Sequence, residues 1–230
     1  MAVSVDTVYQ RVLTIANKEQ RGYITPQDFN LLANQAQLDI IEQYFYDLNQ
    51  YSYALSNNNQ YSDMVTILRE KIQVFNKQAV VNGVVGVGYD MNTISDLYRL
   101  GAIEYNGFLA EEMDVKDSIS ILQAPLMAPT TERPVYTIRE NIVNFSPDNF
   151  SASAVCNYIR KPHKVEWGYV VLNDRALYNA NTTTDFELHG SDEIELVFKI
   201  LSLSGLVIED PSLYQAGSIE DAKNTQQEKQ

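Results

Sequence analysis

Apolar positions along the first third of the chain repeat at helical spacing. Val5, Val8, Val12, Ile15 and Ala16, with Tyr9 and Leu13 beside them, place one stripe on a helix over about residues 4–20, and Gly22 suits its exit. Thr25-Pro26-Gln27-Asp28 then opens a second helix: Thr25 caps it, Pro26 fills the first helical position and Asp28 offers a carboxylate to free N–H groups. That helix runs to about Tyr53, with Phe29, Leu32, Ala33, Ala36, Ile40, Tyr44 and Leu48 along one face. After a polar turn from Ser56 to Gln60, Met64, Val65, Leu68, Ile72 and Phe75 predict a third helix through about Asn76. Three amphipathic helices joined by short loops predict a bundle.

The period then changes. Val80 to Tyr89 is β-branched and punctuated by glycine, and Asp96–Tyr105, Pro134–Ile138, Ile142–Phe145, Ala152–Ile159 and Val165–Val171 have strand composition with turn residues between them. Helical signals return at Gly190-Ser191-Asp192-Glu193, where Ser191 is placed to cap and two acids occupy a first turn. Apolar residues from Ile194 to Ile208 spread around most of this fourth helix, which predicts burial on several sides. Beyond Pro211 the chain is polar and acidic apart from Ile219. The expected architecture is α+β: a helical bundle from residues 1–78 and 191–210, a β-rich domain from 79–190 inserted between them, and an extended C-terminal arm from 211–230.

Charge narrows the partners. The formal balance of −13 is spread as −2 over residues 1–78, −6 over 79–190 and −5 over 191–230, so no region is basic. Such a surface repels phosphate and suits a wall that DNA slides past better than a site that grips it. The single cysteine, Cys156, excludes an intrachain disulfide and reads as a small apolar side chain in a strand of a protein assembled in a reducing cytoplasm. The N-terminal sequence lacks the pattern of a secretory signal, and the most apolar run, Ile194 to Ile208, contains Lys199 and is too short to span a bilayer. A soluble protein that does not enter a membrane is expected.

Candidate chemistry is sparse. His163 and His189 have no second histidine or cysteine at ligand spacing and read as surface or loop residues. Gly83-Val84-Val85-Gly86-Val87-Gly88 reverses the order of a dinucleotide-binding loop and lacks the lysine of a P-loop, so it reads as a glycine-kinked strand or hairpin. Glu111, Glu112, Asp114 and Asp117 do not follow calcium-loop spacing and read as a solvated face, and Arg160, Lys161 and Lys164 make one small basic spot around Pro162. No catalytic residue, metal or cofactor is assigned. The 15 tyrosines are the unusual feature. Tyr44, Tyr46, Tyr51 and Tyr53 crowd the end of the second helix, where they serve either an interface or core and boundary packing. Together with Phe198 and Leu201 of the fourth helix and Ile219 of the arm, they are the candidate interface residues.

The segment from Val8 to Asp39, and above all the run NKEQRGYITPQDFN at residues 17–30, resembles virion structural proteins of crAss-like and related bacteriophages. The likeness covers less than a fifth of the chain and points to the phage group more firmly than to the virion part. The order of elements is similar to that of the adaptor proteins that form a ring beneath the portal of short-tailed phages, although the β insertion is larger than that pattern has. The resemblance implies a non-enzymatic head-to-tail connector subunit in the virion neck, assembled in the host cytoplasm. Its implied partners are the portal protein, neighbouring connector and tail proteins, and further copies of itself in a ring of about twelve. Genomic DNA in the channel would be touched only passively. The alternatives are another tail-barrel component, an assembly chaperone, or a virion-associated hydrolase using Asp and Glu side chains.

Overall fold

A computed structural model describes residues 3–18, 24–53, 59–148, 152–173 and 175–207. The class is α+β. The helices among those residues are α1 (Val5–Lys18), α2 (Pro26–Tyr53), α3 (Asn59–Gln73), α4 (Val115–Leu122) and α5 (Glu193–Val207). The strands are β1 (Asn76–Asn82), β2 (Tyr89–Asp90), β3 (Leu97–Tyr105), β4 (Phe108–Glu112), β5 (Val135–Arg139), β6 (Ile142–Ser146), β7 (Ser153–Arg160), β8 (Tyr169–Leu172) and β9 (Arg175–Tyr178). Contacts divide the chain into a helical unit, Met1–Val74 with Pro162–Gln230, and a β unit, Phe75–Lys161.

In the helical unit the apolar stripes meet as their spacing predicts. Val8 and Val12 of α1, Phe29, Ala33 and Ile40 of α2, and Leu196 and Ile200 of α5 are all fully buried. Helix α2 packs against both α3 and α5, and α1 packs against α5. Thr25 caps α2 as expected, its hydroxyl oxygen accepting from the Asp28 N–H at 3.2 Å. The start of α5 departs from expectation. A short 3-10 turn, Gly190–Asp192, precedes it and is capped by the His189 ring, which accepts from the Ser191 N–H. The Ser191 hydroxyl donates instead to Asp192, a buried carboxylate that also receives the Tyr44 hydroxyl and the Lys71 ammonium, the latter at 2.7 Å. One carboxylate thus ties α5 to α2 and α3.

The β unit begins and ends on neighbouring antiparallel strands, since β1 pairs with β7 from Asn76↔Ile159 to Asn82↔Ser153. An excursion whose two ends lie side by side can be inserted into another unit without disturbing it. Strand order is β1-β7-β3-β4-β5-β6-β2. The sheet curls around its own core, because residues from both ends of that order, Val81 on β1 and Tyr89 on β2, share one apolar cluster with Ile103, Phe145 and Cys156. At its centre the Tyr105 and Phe145 rings stack with centroids 4.1 Å apart, and Tyr89 meets both edge-on. Asn106 and Gly107, both at positive φ, make the two-residue turn between β3 and β4. The connection from β4 to the parallel β5 carries α4, as a parallel pair requires a crossover.

Several expectations are corrected by these observations. Residues 162–190 do not belong to the β insertion but to the helical unit, where β8 and β9 form a separate two-stranded sheet. The expected strand Val165–Val171 is regular only from Tyr169, because Val165 to Trp167 pair with side chains rather than with a strand along one side. Helix α4 went unread in a region expected to be mainly β; Asp114 at its cap position and Asp117 in its first turn account for half of the acidic cluster. Gly83 to Gly88 keeps to expectation as the hairpin-like turn between β1 and β2, closed by a Val84↔Gly88 bridge. Arg160 is buried and lies over the Phe75 ring, 5.5 Å from its centroid, so it is not part of a surface basic spot. Gly22, most of the turn at Ser56, Ile208 to Pro211 and the arm from 211 to 230 lie outside the described residues. Among the described residues no helix is long and apolar enough to cross a membrane.

Candidate interaction surface

One face of α2 carries three side-chain amides, Asn30, Asn34 and Gln37, that fall under one another at helical spacing. They bind alternate residues of the extended segment that follows the β unit. Asn30 accepts from the Trp167 N–H at 2.8 Å, Asn34 accepts from the Val165 N–H at 2.9 Å and donates to its carbonyl at 2.8 Å, and Gln37 donates to the His163 carbonyl at 3.1 Å. A helix rise of 1.5 Å per residue and a strand rise of about 3.3 Å put Asn30 and Asn34, about 6 Å apart along the helix, beside residues two apart on the segment, and Gln37, about 4.5 Å further on, reaches the next with a side chain one methylene longer. The helix face therefore acts as a strand partner. On the other edge Glu166 bridges Thr184, and Gln37 also accepts from the Glu187 N–H at 3.1 Å.

This clamp fixes Trp167. Its indole N–H donates to Asp6 at 2.9 Å, and its ring lies 4.4 Å from Tyr9 on one side and 5.9 and 5.7 Å from Tyr169 and Tyr178 on the other. The tyrosines are the base of the β8–β9 hairpin, in register Tyr169↔Tyr178, Val170↔Leu177, Val171↔Ala176 and Leu172↔Arg175. Gly168 is required beneath them, since a Cβ there would lie 2.7 Å from the Thr182 carbonyl carbon and 2.8 Å from the Asn179 oxygen. Alternation along the strands gives the hairpin two faces. One carries the tyrosines that lean on Trp167 and, nearer the tip, Val171, which is 62% exposed. The other carries Val170, Leu172 and Leu177 with Arg175 at its tip, and these three apolar side chains are 53%, 58% and 51% exposed. Among the described residues no backbone hydrogen bond joins β8 or β9 to another strand.

A two-stranded hairpin is marginal alone, and apolar strands with open edges invite pairing. Covering the exposed half of three such side chains is worth on the order of 2–4 kcal/mol. The arrangement is a rigidly rooted, apolar projection suited to a protein partner. The β unit carries a groove of about 490 Å³ lined by Leu109, Met113, Ile121, Met127 and Val135, with Glu111, Glu132 and Arg133 also on its walls.

The residues singled out from sequence are dispersed by the fold. Tyr44, Tyr51 and Leu201 are buried in the helical unit, so the chain's own packing uses them and they are withdrawn as interface candidates. Phe198 is half-buried, and among the described members of the set Tyr46, 64% exposed, presents the large surface. The Tyr53 side chain and Ile219 lie outside the described residues. His163 is exposed beside Glu187, 3.6 Å away, and His189 is the cap already described. No group of three His, Cys, Asp or Glu side chains able to hold a metal occurs among the described residues. Burial pushes the Cys156 thiol up to about 11, and burial with the nearby Glu112 pushes Tyr136 up to about 12. Both shifts belong to core groups.

The hairpin is not separated by the sequence pattern, which takes Val165–Val171 as one strand and assigns no element to Arg175–Tyr178. The signal was present: two apolar runs, YVVL and RALY, separated by Asn173-Asp174. No protein-family model matches the chain, and no curated protein matches it.

Proposed function

We propose that the chain is a structural virion protein of a tailed bacteriophage that forms a ring in the head-to-tail connector, below the portal, and joins capsid to tail. The observation that carries this reading is the β8–β9 hairpin, an apolar projection anchored through Trp167 to α1 and α2 and left uncovered by the rest of the described chain. Its chemistry supports protein assembly, and the likeness of residues 8–39 to crAss-like virion proteins supports the kind of assembly. Several residues of that likeness, Asn30, Asn34 and Gln37, are the ones that hold the hairpin's root.

The mechanism is assembly, with no catalytic step assigned. Repeated weak contacts around a ring accumulate into a stable particle. A charge of −13 per copy lets DNA pass a channel wall without being gripped. In the connector the portal is the upper neighbour and tail proteins the lower.

The test is to purify the protein with the portal of the same phage and measure the mass and shape of what forms. Rings bound to the portal, and the same protein at fixed stoichiometry in finished virions, support the connector. A protein that binds assembling particles yet is absent from virions would make it a chaperone instead.

A further inference from the structure

We infer that the outer face of the β8–β9 hairpin of one copy seats in the groove of the β unit of a second copy. This deepens the connector reading by naming its lateral contact, while its test requires no portal. The two surfaces differ in shape and match in chemistry. The hairpin projects Val170, Leu172 and Leu177, and the groove offers Leu109, Met113 and Met127 to receive them.

Charge orients the pair. Arg175 stands beside Leu172 on the same hairpin face, opposite it in register. The groove walls carry Glu111 and Glu132 against Arg133, and between residues 104 and 133 the chain has six acids and two bases. A guanidinium entering there meets two carboxylates that are exposed in the free chain, and seating the hairpin would shield the pair from water. Asp174 precedes Arg175 in the sequence, so the specific cation is Arg175 rather than any net charge of the segment.

The symmetry consequence follows from the two patches being different. A contact between unlike patches closes as a dimer only where two copies seat in each other at once; otherwise it continues until it closes as a ring, as the connector reading requires, or extends as a filament. Edge pairing between two identical hairpins would stop at a dimer.

The experiment uses the full chain with single cysteines introduced as Leu172→Cys and Met127→Cys, leaving the buried Cys156 in place. Mild oxidation of the two variants mixed should give a disulfide-linked dimer on a non-reducing gel at least tenfold above either variant alone. Carrying both changes in one chain should give a ladder. Arg175→Glu should weaken self-association measured by sedimentation about tenfold, and Glu132→Lys with Glu111→Lys on the partner copy should restore it. Trp167 fluorescence checks that the hairpin variants are folded, and circular dichroism checks the groove variants of the β unit. The inference is overturned by a mixture that links no better than its components, by Leu172→Cys linking to itself, or by the double variant linking only within one chain. A chain that stays monomeric at the highest concentration it tolerates also overturns it. Portal binding that persists in any of those cases leaves the connector reading standing, whereas lateral linkage without portal binding removes that reading alone.

Discussion

Asn34→Ala tests the clamp between α2 and the extended segment. The substitution removes two hydrogen bonds to the main chain of Val165, a fully buried residue, at 2.9 and 2.8 Å. Each is worth about 1 kcal/mol net, and a buried N–H or C=O left without a partner raises the cost to roughly 1–3 kcal/mol. Together these predict a loss of about 2–4 kcal/mol. Asn34→Asp keeps the acceptor for the Val165 N–H and loses the donor to its carbonyl, so it should fall between wild type and alanine. The assay is equilibrium unfolding in urea followed by fluorescence. The sole tryptophan, Trp167, sits two residues beyond Val165 and reports the helical unit directly. The midpoint should drop with an unchanged slope. Gln35→Ala, on an exposed part of the same helix, should change stability by less than about 0.5 kcal/mol. An Asn34→Ala protein indistinguishable from the Gln35 control would refute the claim that α2 serves as a strand partner.

Asp192→Ala leaves the Lys71 ammonium, 15% exposed, without its carboxylate and should cost about 3–5 kcal/mol, read as a fall in thermal midpoint. The double change Asp192→Leu with Lys71→Met should recover most of that loss. The hydrogen bond from Lys77, then that from Tyr158, holds the Asp96 carboxyl below its ordinary value of 3.8. Its stabilising contribution is therefore present above about pH 4 and lost as pH falls through the lower folded value; Asp96→Asn should flatten that acid limb in tyrosine circular dichroism. Cys156, with its thiol pushed up to about 11 and no exposed surface, should be unreactive toward a disulfide reagent at about pH 8 until urea unfolds the β unit, and early labelling would contradict its place in the core. Gly168→Ala should separate the hairpin root from the Asn179–Thr183 turn, seen as a shift in Trp167 emission; unchanged emission would remove the steric argument.

The sequence by itself determined what depends on near neighbours along the chain. The limits of α2, its Thr25 cap, the stripes of α1 and α3 and most strands of the β unit follow from period and local hydrogen bonding, which act over one or two turns. Cys156 as a core residue of a strand follows from the same alternation. Tertiary structure decided what those elements meet. Asn30, Asn34 and Gln37 look like ordinary polar residues of an exposed helix face until an extended segment more than 120 residues later places its backbone against them. Tyr44 and Tyr51 are amphipathic side chains equally suited to a core or an interface, and α3 and α5 closed over them. Residues 162–190 have strand composition like the β unit before them, yet they pack with the helices because β7 returns the chain beside β1, and the excursion ends there. Long-range pairing is set by which surfaces remain open after local structure has formed, and no pattern within a short window carries that information. The same reason hid the β8–β9 hairpin, whose outer-face residues Val170, Leu172 and Leu177 stay more than half exposed among the described residues.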